Sequence, residues 1–137
     1  TLDMGKNIKF INRYTSIEEL GEVLYMTDIY LTPYPHKNQA VSGTLSYAIG
    51  VGRAIVSTPY EYSLEVLSQG RGLIAADASP KALAALIEDI LKDPGLKARL
   101  EKSTSKQGET MQWPQVGKEY VKILEDLLYS KAERKVF

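Results

Sequence analysis

Apolar residues recur along this chain with two different periods. Four short runs are nearly continuous in apolar character and read as strands: residues 8–12 (IKFIN), 28–33 (DIYLTP), 54–58 (AIVST) and 72–76 (GLIAA). The middle two are β-branched or aromatic with little polar alternation, the pattern of strands covered on both faces. Helical spacing fills the intervals. Residues 16–25 open with Thr15/Ser16 followed by Glu18/Glu19, a capping box. Residues 43–49 follow Ser42, and residues 60–68 follow Pro59 at a first-turn position and stop at Gly70. The last third is helical. Residues 81–91 place Leu83, Leu86, Ile87, Ile90 and Leu91 on one face. KDPG at 92–95 breaks that helix, and a more polar one runs to about Gly108. A third helix, from Pro114 to about Ser130, repeats apolar residues at Val116, Tyr120, Ile123, Leu124, Leu127 and Leu128. The order β-α-β-α-β-α-β-α with short connections predicts a doubly wound parallel sheet of about four strands, with helices on both faces. The tail KAERKVF is expected to fray.

Composition narrows what such a sheet does. The 137 residues suffice for one core, and 44% hydrophobic with 25% charged residues is ordinary for a globular domain. Lys+Arg equals Asp+Glu at 17 each, so no basic field points to nucleic acid. The chain has no cysteine, which removes disulfides and thiol chemistry, and a single histidine, His36, which removes a His-rich metal site. No apolar run approaches the ~18 residues of a membrane-spanning helix. The chain opens on Thr1 without a signal peptide, and its expected status is a fragment of a longer product.

The candidate chemistry sits where a strand hands over to a helix. In an open parallel sheet, ligands bind outside the carboxyl ends of the strands. The stretch QAVSGTLSYAIG leaves the strand at 28–33 and leads into a helix N-terminus, where backbone N–H groups lack intrahelical partners and the helix dipole is positive. Gly43 permits close approach, and Ser42 and Thr44 add hydroxyls, a combination suited to a phosphate or diphosphate. Taken alone, the same pattern fits a plain N-cap at Ser42, and it is not a P-loop because no Lys follows. A second turn, STPYEYS at 57–63, reads either as a capped turn or as a rim carrying Ser57, Thr58 and Tyr60. His36 and Lys37, in the loop between, read as solvated or as countering anionic charge if the loop closes on a ligand. Tyr30 and Tyr47 read as core. Tyr34 and Tyr60, at strand ends, are candidates to stack on a base or sugar.

With these motifs in order, the sequence resembles a known family. The stretches TDIYLTPY, LSYAIGVGRAIV, RGLIA, SPKALAALIEDILKDPGLKARL and WPQVGKEYVKILEDL resemble, in sequence order, the C-terminal, donor-binding half of GT-B glycosyltransferases. The group they resemble most is family 4, retaining enzymes that use nucleotide-sugar donors. The resemblance implies a partial Rossmann-like nucleotide-sugar-binding domain over residues 1–112. A C-terminal helix at 113–137 would pack back on it, pinned by Trp113 and Tyr120. The family carries two glutamates eight residues apart, the first on the donor sugar and the second on the ribose. The matching positions are Asn38 and Ser46, neither a carboxylate. The family's glycine-rich phosphate loop matches Gln39, Ser42, Gly43 and Thr44.

Further expectations follow from the resemblance. The nucleotide-sugar is the substrate, and no cofactor or metal is expected. The family sheet runs 3-2-1-4-5-6, so this chain would lack strands 1 and 2, the basic pair that grips the diphosphate, and the N-terminal acceptor domain. Alone it would not catalyse transfer. The strand at 8–12 would slide across to pair with 28–33, or copies would associate through the open sheet edge. The expected location is cytoplasmic, with peripheral attachment at the inner membrane through the missing domain as a variant. Two other readings compete: a non-catalytic nucleotide-binding or interaction domain, and a phosphoacceptor receiver domain. The receiver reading is poorly served, because Thr32-Pro33 stand where its aspartate belongs.

Overall fold

The computed structural model describes residues 4–133, with side chains through residue 129. After a short 3-10 turn at Gly5–Asn7 come α1 (Ile17–Met26), β1 (Ile29–Thr32), α2 (Gly43–Gly50), β2 (Ala54–Ser57), α3 (Glu61–Val66) and β3 (Leu73–Ile74). Three helices follow: α4 (Pro80–Lys92), α5 (Pro94–Thr110) and α6 (Trp113–Glu133). The strands form one parallel sheet in the order β1-β2-β3. Ile29 stands opposite Ala54, and Val56 opposite Leu73.

The central strand explains the two-layered core. Every residue of β2 is fully buried, and its side chains alternate between two apolar clusters. Ile55 packs with Leu24, Leu45, Ala48, Ile49, Tyr60 and Leu67, the contribution of α1, α2 and the α3 region. Ala54 and Val56 face the other way, to Leu83, Ile90 and Leu100 from α4 and α5. Each large aliphatic side chain buried this way contributes about 1.5–3 kcal/mol. The doubly wound expectation is therefore met: helices cover both faces of the sheet.

Local chemistry sets the helix limits. Ser16, Ser42, Ser79 and Asp93 each accept a backbone N–H from three residues on, and Pro80 and Pro94 occupy first-turn positions. Pro59, expected in the first turn of α3, precedes its N-cap residue Tyr60 instead. Gly52 ends α2 with φ of 71°, its N–H on the Ile49 carbonyl and the Arg53 N–H on that of Ala48.

Two expectations are corrected here. Residues 8–12 form no strand and pair with nothing in the sheet. Ile8 and Ile11 are half exposed and Phe10 is 87% exposed. Among the described residues no strand pairs with β1 on the side away from β2, and the segment leads instead into α1, where Arg13 pairs with Glu19. A β-rich composition alone does not make a strand without a partner to complete its ladder. The sheet therefore has three strands where four were expected. The second correction concerns the C-terminal helix. Trp113 is 85% and Tyr120 65% exposed, so neither pins α6 to the sheet. The apolar period of α6 is real, but Ile123, Leu124, Leu127 and Leu128 are each more than half exposed, and α5 is the element that α6 meets most. The tail residues 134–137 lie outside the described residues. No helix among those described is long and apolar enough to cross a membrane.

Candidate functional site

The ten residues between β1 and α2 leave the carboxyl edge of the sheet and are held there from below. Thr58 Oγ1, buried at the end of β2, donates to the Tyr34 carbonyl at 2.7 Å. The Glu61 N–H donates to the Lys37 carbonyl at 3.0 Å and the Tyr62 N–H to that of Gln39 at 3.4 Å. The first turn of α3, which would otherwise present free N–H groups, is thus occupied by the loop itself. Ser63 Oγ lies between the Thr58 and Tyr60 carbonyls at 2.8 Å from each and accepts the Tyr60 N–H at 3.1 Å. The STPYEYS turn is therefore structural. Thr58 and Tyr60, expected on a ligand-facing rim, are 1% and 0% exposed, and Ser57 is also fully buried. Tyr60 packs edge-on against Tyr34 at 5.0 Å between ring centres and meets Thr32 Oγ1 through its hydroxyl at 3.1 Å. Tyr60 has no free face on which a base or sugar could stack.

The start of α2 is different. Ser42 is buried and caps the helix, its Oγ accepting the Leu45 N–H at 3.3 Å. Ser42 thus serves as an N-cap and not as a solvent-facing hydroxyl donor. Gly43 and Thr44 follow it on the surface, and their backbone N–H groups have no acceptor among the described residues. The space above Gly43 is open: a Cβ built there meets nothing within 4 Å. Thr44 Oγ1 accepts from the Tyr30 hydroxyl at 2.8 Å. Burial pushes the Tyr30 phenol above its ordinary pKa, which keeps it protonated as that donor. Tyr30 is thus both a core side chain and the group that orients Thr44. Gln39 folds back along the loop, its Nε2 donating to the Val41 carbonyl at 2.7 Å, while Asn38 stands exposed.

The structure separates some residues that the sequence grouped. His36 and Lys37 are exposed and line a cavity of about 110 Å³ with Tyr34, Pro59 and Asp77, which Gly43 and Thr44 do not share. Hydrogen bonds from Ser79, its hydroxyl first and its N–H second, hold the Asp77 carboxyl below the usual carboxylate range. Ser46 is partly buried: its Oγ donates to the Ser42 carbonyl at 3.2 Å and meets the Tyr62 hydroxyl at 2.7 Å. Tyr62, given no role by the sequence, touches the loop at Gln39 through its N–H and the first turn of α2 at Ser46 through its hydroxyl. Only its position in the first turn of α3, directly below the loop, reveals this.

Comparison with known proteins follows the same lines. No family model matches the sequence. An uncharacterized glycosyltransferase of Methanocaldococcus jannaschii is 32% identical over 113 residues, 81% of this chain and 29% of that protein. In fold, sucrose-phosphate synthase from Thermosynechococcus elongatus superposes with a TM-score of 0.71 at 18% identity, covering 93% of this chain and 32% of that one. The chain thus spans about a third or less of the length of each relative. In sequence this chain is similar to part of a glycosyltransferase, and its fold is similar to part of a GT-B enzyme, sucrose-phosphate synthase.

Proposed function

We propose that this chain is the donor-binding part of a retaining glycosyltransferase, which moves a sugar from a nucleotide-sugar to an acceptor. The observation that carries the reading is the start of α2: two unaccepted backbone N–H groups, under open space at Gly43, at the carboxyl edge of a parallel sheet. In this reading the diphosphate lies over Gly43 and Thr44. Negative charge grows on it as the bond to the sugar breaks, and fixed N–H dipoles that need no reorganisation stabilise that charge. No metal is required for this role. Asn38, exposed in the loop, hydrogen-bonds the sugar, and Ser46 lies towards the ribose. The loop cannot sag, because Thr58 and α3 hold its carbonyls. Catalysis also needs the acceptor-binding part of the full-length protein, so the isolated chain binds donor without transferring sugar; the reaction is placed in the cytoplasm.

The test is nucleotide-sugar binding by the full-length protein, measured by calorimetry across a donor panel. Asn38→Ala is expected to weaken nucleotide-sugar binding about two- to tenfold, the loss of one hydrogen bond, while leaving free nucleotide binding nearly intact. Equal losses for both ligands would remove Asn38 from the sugar.

A further inference from the structure

Tyr47, expected in the core, stands 45% exposed on α2 instead, and the wide groove it borders has no charged wall. The hollow beside His36 is smaller, more enclosed and built differently. Its walls are loops that leave the carboxyl ends of all three strands: Tyr34, Pro35, His36 and Lys37 after β1, Pro59 after β2, and Asp77 after β3. Its volume of about 110 Å³ falls well short of the ~300–1,000 Å³ that a whole small molecule fills. It has room for one functional group of a ligand whose remainder lies outside.

Three features of the walls narrow which group fits. First, the backbone is set before any ligand arrives. Thr58 Oγ1 holds the Tyr34 carbonyl on one side of His36, and the Glu61 N–H holds the Lys37 carbonyl on the other. The rings of Pro35 and Pro59 lock their own φ angles. Second, the donors are uncommitted. Among the described residues, neither the His36 imidazole nor the Lys37 ammonium has a hydrogen-bond or ion-pair partner. An ammonium brings three N–H donors and a positive charge, and an imidazole at least one N–H donor, so together they suit an anion. Third, the hollow has one carboxylate. Asp77 Oδ1 accepts the Ser79 N–H at 2.8 Å, which anchors the group to the start of α4. A carboxylate has about four acceptor sites, so Asp77 can also take a proton from a ligand. It repels a bare anion and favours one that carries a hydroxyl.

We propose that this hollow binds the anionic end of a small hydroxylated ligand, with a phosphate or carboxylate on Lys37 and His36 and an adjacent hydroxyl donating to Asp77. Asn38 follows Lys37 directly, so the ligand lies beside the residue read above as holding the donor sugar. Its role as acceptor of that sugar rests on the donor-binding reading; its binding does not.

His36 is the sole histidine of the chain, so its ring C–H resonances report on this hollow alone. The 137-residue chain is titrated at fixed pH and ionic strength, under proton–carbon NMR, with glycerol 3-phosphate, glycerate, glycerol, sulfate, UDP and ADP. A saturable His36 shift is expected with glycerol 3-phosphate, with glycerate, or with both, and these two arms name the anion. Glycerol, which has hydroxyls but no charge, should give none. Sulfate, which has charge but no proton to give, should bind about tenfold more weakly, one hydrogen bond to a carboxylate short. Lys37→Ala should weaken the response at least about tenfold, and the fold should survive it because only the Lys37 carbonyl is used in packing the loop. Asp77→Asn should narrow the gap between the hydroxylated anion and sulfate. Silence with both hydroxylated anions, a response to glycerol, sulfate binding as tight as theirs, or a response that Lys37→Ala leaves unchanged overturns the proposal, as does a gap that Asp77→Asn does not narrow. Displacement of the bound probe by UDP or ADP would make the hollow part of the nucleotide site and overturn it too. Failure of both nucleotides to bind in calorimetry, with His36 still responding to the hydroxylated anions, counts against the donor reading only.

Discussion

Gly108→Ala tests the packing that places α2. Gly108 is buried near the end of α5, and the added methyl would sit 2.7 Å from the Ile49 carbonyl oxygen, 3.0 Å from the Gly50 Cα and 3.3 Å from the Gly50 carbonyl oxygen. An unstrained carbon–oxygen contact is about 3.3–3.6 Å, so the helices must part by roughly half an ångström or more. All three obstacles are backbone atoms, so no side chain can swing away. Alanine's better helix propensity returns about 1 kcal/mol, and overpacking costs about 1–3 kcal/mol. The net expectation is a loss of up to about 2 kcal/mol, or up to roughly 8 °C in Tm for a chain of this size. Gly21→Ala is the control. Gly21 lies inside α1, where a Cβ meets nothing within 4 Å, so the same chemical change should stabilise by up to about 1 kcal/mol. Both are read by urea denaturation of the chain. If Gly108→Ala stabilises as much as Gly21→Ala, the close α2–α5 crossing is wrong.

Other outcomes follow from single contacts. Thr58→Val leaves the part-buried Tyr34 carbonyl without its 2.7 Å donor and should cost about 1–3 kcal/mol in urea denaturation, while also loosening the β1–α2 loop. Gly52→Ala forces alanine to a φ of 71° with its Cβ 3.0 Å from Ser105 Cβ, and should lower stability by about 1–3 kcal/mol. The hydrogen bond from Lys97, and then its charge, hold the exposed Asp28 carboxyl below its usual range. That contribution is present above the ordinary carboxylate pKa and lost as pH falls through the depressed folded value. Asp28→Asn should therefore flatten the acid side of the Tm–pH curve, by less in high salt. Copies of the chain are expected to associate through the open β1 edge, and light scattering that reports a monomer at all concentrations would count against this.

The fold was legible where pattern and partner coincide within the chain. Ala54, Ile55 and Val56 read as a strand covered on both faces, and each is fully buried between the two helical layers. The caps at Ser16 and Ser42 were visible as polar residues just ahead of apolar periods. Residues 8–12 and the stripe of α6 carry equally good patterns but little of the packing those patterns imply. Periodicity states which face is apolar; it does not say what covers that face. In the site, Gly43 and Thr44 could be placed from the strand-to-helix handover alone. The fate of the hydroxyls could not. Thr58, Tyr60 and Ser42 look the same in sequence whether they face a ligand or an internal partner; here Thr58 donates to the Tyr34 carbonyl, Tyr60 meets the Thr32 hydroxyl and Ser42 accepts the Leu45 N–H. Tyr62 escaped notice for the same reason, since its two contacts join residues 16 and 23 positions away.

The claim that the start of α2 holds a diphosphate is tested most directly at the two amides themselves. In a titration of the isotope-labelled chain with nucleoside diphosphates, followed by amide NMR, the Gly43 and Thr44 resonances should shift first and furthest, as free N–H groups take up phosphate oxygens. Gly43→Val should raise the Kd at least tenfold, the loss of about one hydrogen bond to a charged oxygen, without unfolding the chain, because its Cβ enters open space. Saturable nucleotide binding that leaves these two amides unmoved, or that Gly43→Val does not weaken, would contradict the account.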